Sequence, residues 1–378
     1  MRVEDIPSPC FVLEEDKFRK NLELIRSVGE CAGVDIILAF KAFSLWKVFP
    51  IVREYIGFST ASSLAEAQLA YEEMKSLAHT YAPVYSDVEF GRILECSSHI
   101  TFNSITQYEH FRPVIATDGN RVSCGLRINP EYSQVETGLY DPCAPGSRLG
   151  VTAEKLAGRL PSGIEGLHCH ALCESNSFML EGVLNRIEEK FGHLFDSIKW
   201  LNMGGGHLIT RVGYDTAHLV ALLRRFRNKY PDIRVILEPG SAFAWQTGYL
   251  KATILDIVEN HGIKTLILNV SFACHMPDCL EMPYRPEVKG AHIPLDNEPV
   301  YRLGGNSCLS GDFVGDYAFE MEPKVGDIII LEDMMHYTTV KTTMFNGVSH
   351  PSVALLRSDG NIEMLKSFTY SDYKNRMS

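Results

Sequence analysis

The chain has 378 residues, 45% of them hydrophobic and 22% charged, with a formal net charge of −11. That length buries a large core and suits two domains, and the composition is that of a soluble globular enzyme. The acidic balance disfavours nucleic acid, which needs a basic face, and no apolar run approaches the roughly 20 residues of a membrane span.

Met1-Arg2-Val3-Glu4-Asp5-Ile6-Pro7 lacks the apolar core of a signal peptide, so a cytoplasmic protein is expected. Residues 8–13 read as a strand that joins a later domain, and Phe18, Leu22, Ile25 and Val28 share one face of a helix. The next run, Ile36-Ile37-Leu38-Ala39-Phe40, ends on Lys41. A lysine there has an apolar platform behind it, and burial lowers the pKa of an ammonium and frees the amine as a nucleophile. The competing reading is a solvated strand cap.

Strands are expected at 35–40, 55–59, 79–82, 99–103, 122–128, 164–170, 199–203 and 234–238. Helices fall between most of them, at 64–75, 88–96, 106–115, 178–191 and 216–229. Eight strands alternating with helices point to an α/β chain with a (β/α)8 TIM-like barrel over 14–245, a doubly wound sheet being the alternative. From 246 to 378 the character changes. Apolar β-branched runs recur at 250–258, 265–270, 299–303, 327–331, 352–356 and 362–365, with a hairpin turn at Asp359-Gly360-Asn361. This reads as a C-terminal β-rich domain of sandwich or barrel type, with 1–13 adding a strand.

Barrel active sites sit at the C-terminal ends of the strands, often with a phosphate site near strands seven and eight. Lys41 ends strand one, His170 strand six and Glu238 strand eight, while Gly204, Gly205 and Gly206 follow strand seven. Consecutive glycines let backbone amides approach an anion. A nucleophilic lysine, a flat imidazole, a phosphate turn and a carboxylate at one mouth describe a pyridoxal phosphate site. His168, His170 and Cys173 lack a second ligand cluster at zinc spacing, and ten cysteines without Cys-x-x-Cys pairs indicate neither a disulfide framework nor a zinc ribbon, so no metal is expected. His168 is expected in the core.

Phe40-Lys41-Ala42, Leu167-His168-Cys169-His170, Asn202-Met203-Gly204-Gly205-Gly206-His207, His275-Met276-Pro277-Asp278, Gly305-Asn306-Ser307-Cys308-Leu309-Ser310-Gly311-Asp312 and His336-Tyr337-Thr338 occur in that order. With these motifs the whole chain resembles the alanine racemase-fold group of ornithine and diaminopimelate decarboxylases, and within it the decarboxylases of carboxylated polyamines. The resemblance implies pyridoxal 5′-phosphate as cofactor, with Lys41 as the Schiff-base lysine and His170 stacked on the ring. It further implies Gly204, Gly205 and Gly206 on the phosphate, Glu238 on the pyridine nitrogen, and Tyr337 approaching the phosphate from the β domain. Cys308, as a proton donor, and Asp312, as a substrate contact, resemble residues that enter from a neighbouring subunit, which implies a homodimer with shared sites. Asp278 and Glu281 would meet the ammonium groups of a small cationic, carboxylated polyamine.

Two positions depart from the group's pattern. Ser241 stands where several relatives place a phosphate-holding arginine, and Cys173 where they often have serine. His207 or Ser241 is expected to compensate. Three rival readings follow from the same resemblance: diaminopimelate or another basic amino-acid decarboxylase, a racemase, and a non-catalytic pyridoxal phosphate carrier. Racemase-like members place an arginine by the pyridine nitrogen, and a diaminopimelate site calls for an arginine to meet the second carboxylate. A carrier needs neither the β domain nor the Cys308 loop.

Overall fold

The computed structural model describes residues 5–117, 119, 122–135, 137–156 and 158–378; residues 1–4 of the opening segment therefore lie outside the described residues. The chain divides into two compact units, 21–243 and 1–20 together with 244–378.

The first unit is a parallel barrel. Around its wall run Asp35–Ile36, Arg234–Leu237, Trp200–Asn202, Ile164–His168, Ser123–Arg127, Ser97–Phe102, Ala78–Tyr81, Ser59–Ala61 and Leu38–Ala39. These nine segments are eight strands, because the first is split at Ile37. Its leading half pairs with Arg234–Leu237 and its trailing half with Ser59–Ala61, which brings the two ends of the sheet together. The Ile37 amide donates to Leu237 O at 2.9 Å and the Leu38 amide to Phe58 O at 3.1 Å, so the split costs no backbone pairing. The second strand starts at Ser59, four residues beyond the expected 55. Helical bonding runs on past the Phe49–Val52 helix, the Tyr55 and Ile56 amides both donating to Val52 O at 2.9 Å, so those two amides are unavailable to the sheet.

The interior of the barrel explains where the site lies. Residues two apart on each strand point the same way, and Trp200, Ile37 and Ile236 pack together as an apolar layer inside it. Gly125 and Gly166 make room for the indole, since a Cβ on Gly166 would lie 2.0 Å from it. Farther along the same strands the interior turns polar, with Thr60, His79, Thr101, His168 and Asn202 around one small cavity.

The second unit is a mixed sheet of nine strands built on Gly248–Asn260. The first part of that strand lies between Cys10–Glu14 and Ile328–Glu332, and its later part pairs with Ile263–Leu268 past an irregularity at Ile254/Asp256. The N-terminal strand expected from 8–13 is thus present, and it also pairs in parallel with Ser352–Leu356. The hairpin around Asp359-Gly360-Asn361 joins Ser352–Leu356 to Ile362–Lys366. Two strands were not anticipated: Ala291–His292, only two residues long, and Phe313–Phe319, whose alternation is broken by Gly315 and Asp316. Among the described residues no helix is long and apolar enough to cross a membrane.

Candidate active site

Four sequence-derived candidates meet in the barrel unit. Lys41 follows Leu38–Ala39, His170 follows Ile164–His168, the glycine turn follows Trp200–Asn202, and Glu238 follows Arg234–Leu237. All are at C-terminal strand ends, so a parallel wall delivers them to one mouth.

Lys41 Nζ lies 3.5 Å from His170 Nε2. The other ring nitrogen, Nδ1, accepts the Gly205 amide at 2.8 Å, which assigns the His170 proton to Nε2 and directs it at the amine. Burial lowers the Lys41 pKa from its ordinary 10.5, with Glu238 pulling it back and the Arg127 guanidinium adding to the depression. His170 is held well below its ordinary range by burial, Lys41 and Arg127. A neutral imidazole beside a lysine that resists protonation is the electrostatic setting of a nucleophilic amine.

Glu238 is 6% exposed. Its Oε1 is 3.0 Å from His168 Nε2 and its Oε2 accepts from Asn202 Nδ2 at 3.0 Å. Burial alone would raise this carboxyl; the hydrogen bond from His168 works against it and holds it below the usual carboxylate range. His168 itself is kept neutral by burial.

The glycine turn is tied to both partners. Gly204 has φ +74° and Gly206 φ +86°, a region that disfavours side chains, and a Cβ on Gly206 would meet Leu172 O at 2.2 Å. The Gly204 amide donates to Asn202 Oδ1 at 2.9 Å, so Asn202 links the turn to Glu238. Two amides expected to face a phosphate, those of Gly204 and Gly205, are thus engaged by Asn202 and His170. His207 brings no cation to the place of the missing arginine. It is 1% exposed and burial lowers its pKa to about 4, so it is neutral. Ser241 opens the four-residue helix Ser241–Ala244 and is half-buried, and Cys173 O accepts from Ser175 Oγ at 2.9 Å.

Three residues of this site were not anticipated from the sequence. His168, expected as core, is in the core but hydrogen-bonded to Glu238. Asn202 sits two residues before the glycine turn. Arg127, also buried, donates to His170 O at 3.0 Å and lies 4.8 Å over the Tyr81 ring. The readable signal for His168 was its spacing from His170, since residues two apart on a strand share a face.

The other candidates belong to the second unit. Asp278 and Glu281, on the helix Asp278–Glu281, both ion-pair with Lys341. Those bonds raise the Lys341 pKa against its partial burial. Asp312 is the tie of the 305–312 loop: Oδ1 accepts from the Ala273 amide at 3.0 Å, and Oδ2 from the Ser307 amide at 3.1 Å and hydroxyl at 2.6 Å. Cys308 is exposed on that loop, its amide donating to Asn346 Oδ1 at 2.8 Å. Tyr337 follows the strand Ile328–Glu332 in a left-handed conformation (φ +50°), its carbonyl accepting the Lys341 amide at 2.9 Å. Among the described residues no group of three or more His, Cys, Asp or Glu could hold a metal ion.

The barrel donor set fits pyridoxal phosphate: an amine that resists protonation for the aldehyde, a carboxylate for the ring nitrogen, and an imidazole beside the amine. Comparison with known proteins agrees. Residues 84–335 match the family described as pyridoxal-dependent decarboxylase, C-terminal sheet domain. The chain is 51% identical over its full length to the carboxyaminopropylagmatine decarboxylase of a Synechocystis species, covering 97% of that protein. It is 44% identical to the carboxynorspermidine/carboxyspermidine decarboxylase of Campylobacter jejuni, with 100% of both chains covered. The crystal structure of carboxynorspermidine decarboxylase complexed with norspermidine from Campylobacter jejuni superposes with a TM-score of 0.90 at 43% identity, over 98% of this chain and 100% of that one. Diaminopimelate decarboxylase from Helicobacter pylori shares the fold at 16% identity, with a TM-score of 0.84 over 99% of this chain and 98% of that one. With the lysine, carboxylate and glycine turn in place on a matching fold, the chain belongs to the pyridoxal-dependent decarboxylases.

Proposed function

We propose that the enzyme removes CO2 from the amino-acid end of a small cationic polyamine, carboxynorspermidine or carboxyspermidine. The full-length similarity to the Campylobacter enzyme supports that substrate class. The observation that carries the reaction type is Glu238, a buried carboxylate kept ionised by donors on both oxygens. An ionised carboxylate can hold a pyridine nitrogen protonated, whereas the racemase reading calls for an arginine.

When bound, the cofactor supplies the sink for the electrons that CO2 leaves behind. In this reading Lys41 would bind the aldehyde through its amine, His170 would lie against the ring, and Glu238 would meet the ring nitrogen. Gly206 and Tyr337 would hold the phosphate, the amides of Gly204 and Gly205 being engaged by Asn202 and His170. Asp278 and Glu281 receive the distal cation, for which Lys341 is the resident competitor. Cys308 or Lys41 hands a proton to the substrate carbon. Cys308, exposed on a loop tied by Asp312, serves the site of a second copy, so the working unit is a homodimer in the cytoplasm.

The Synechocystis relative favours a second reading, carboxyaminopropylagmatine, which has a guanidinium tail. Carboxynorspermidine and carboxyspermidine differ by one methylene, worth only about 1–3 kcal/mol of discrimination, so both are expected to be accepted. The test is CO2 release from these three compounds and from meso-diaminopimelate, ornithine and arginine in parallel. Preference for the agmatine derivative selects the second reading, and preference for any of the last three overturns the substrate class. A visible band should be present in the purified protein and absent from Lys41→Ala. Mixing inactive Lys41→Ala with inactive Cys308→Ala should restore activity; no recovery despite subunit exchange would refute the shared site.

A further inference from the structure

In the polar interior of the barrel, one nitrogen of His168 plays no part in the proposed chemistry. His168 is 1% exposed, and its Nε2 is 3.0 Å from Glu238 Oε1. An ionised carboxylate only accepts, so the His168 proton is on Nε2, and Nδ1 presents a lone pair. Nδ1 is buried and has no hydrogen-bond partner in the protein. The ring is stacked on Tyr81 at 5.2 Å, with planes 27° apart, and Arg127 lies over the same Tyr81 ring. Stacking and the Glu238 bond together fix its orientation.

The space beside it is a cavity of about 10 Å³, lined by Thr60, His79, Thr101 and His168 among others. That volume accommodates about one water molecule, and a buried water needs two to four polar partners, which this lining supplies.

We infer that His168 is the positioning residue of Glu238, held in its Nε2–H form by a single buried water that donates to Nδ1. The inference rests on the reading that Glu238 meets the cofactor's ring nitrogen. Glu238 then receives one fixed donor on each oxygen, His168 on one and Asn202 on the other. A carboxylate clamped from both sides keeps its charge and its direction without water in the mouth.

The test uses the full chain, stripped of cofactor and titrated with pyridoxal phosphate, with the visible band giving the dissociation constant. His168→Leu removes the donor and should weaken binding about ten- to a hundredfold. His168→Gln places an amide N–H near the old Nε2 and should stay within about threefold of the unmodified protein. Glu238→Gln calibrates the reading beneath: if it binds as the unmodified protein does, the role of Glu238 and the inference fall together. If Glu238→Gln weakens binding while His168→Leu stays within about twofold, or His168→Gln loses as much as His168→Leu, the inference alone falls. Should His168→Leu not fold, the comparison of His168→Gln with Glu238→Gln decides. A high-resolution crystal structure of the apoprotein should show one ordered water within hydrogen-bonding distance of Nδ1, and an empty cavity would overturn the water.

Discussion

Replacing Gly166 by alanine drives a methyl group into the indole of Trp200. An ideal Cβ would lie 2.0 Å from both Cδ2 and Cε2 and 2.5 Å from Cε3. Ordinary carbon contacts are about 3.5–4.0 Å, so the ring must retreat by roughly 1.5 Å. It cannot do so in place, because Trp200 Nε1 donates to Ser123 Oγ at 2.9 Å and the ring packs with Ile37 and Ile236. Overpacking of this kind costs about 1–3 kcal/mol and the lost hydrogen bond about 1 more, so Gly166→Ala should destabilise by about 2–4 kcal/mol. Trp200→Leu removes the obstacle, and in that background the same substitution should cost less than about 1 kcal/mol. Urea unfolding of the two single variants and the double variant gives the coupling directly. If Gly166→Ala costs the same in both backgrounds, the layer beneath the site is not built on this contact.

Three further outcomes are expected. His207 is neutral in the folded protein until about pH 4, whereas an unfolded histidine binds its proton near 6.5. Between those values the unfolded chain holds the extra proton, so stability falls as pH drops from about 6.5 to 4, by about 3 kcal/mol for this residue. His207→Leu should flatten that part of the stability curve, and parallel curves would refute the assignment. Lys341→Met frees Asp278 and Glu281 for an external cation, so KM for a carboxylated polyamine should fall about two- to fivefold, the worth of a half-exposed ion pair. An unchanged KM would remove both carboxylates from the substrate site. Asp312→Ala leaves the Ala273 and Ser307 amides without their acceptor, at a cost of about 1–3 kcal/mol read from the denaturant midpoint. A variant as stable as its parent would show that the loop does not depend on this carboxylate.

Lys41, His170, the glycine turn and Glu238 were legible because a parallel barrel is periodic. Once eight apolar runs are counted, whatever follows each run lies at the same mouth. The β unit was legible in its long β-branched strands and its Asp-Gly-Asn turn, but not at Ala291–His292, too short to show a pattern, nor at Phe313–Phe319, where Gly315 and Asp316 interrupt the alternation. The start of the second strand was misplaced because apolar residues 55–58 suit a helix end as well as a strand, and only hydrogen bonding distinguishes the two.

The sequence by itself picked out the candidate groups: a lysine after an apolar strand, a carboxylate before Pro-Gly, and three glycines between them. It could not determine their partners. Asn202 and His168 reach Glu238 from strands 36 and 70 residues away in the chain. Lys341 finds Asp278 and Glu281 across 63 and 60 residues. Protonation depends on those partners and on burial, and both arise only when distant segments pack together. Tertiary structure therefore decided that burial lowers the pKa of Lys41 and of His207, and that Glu238 meets a partner on each oxygen.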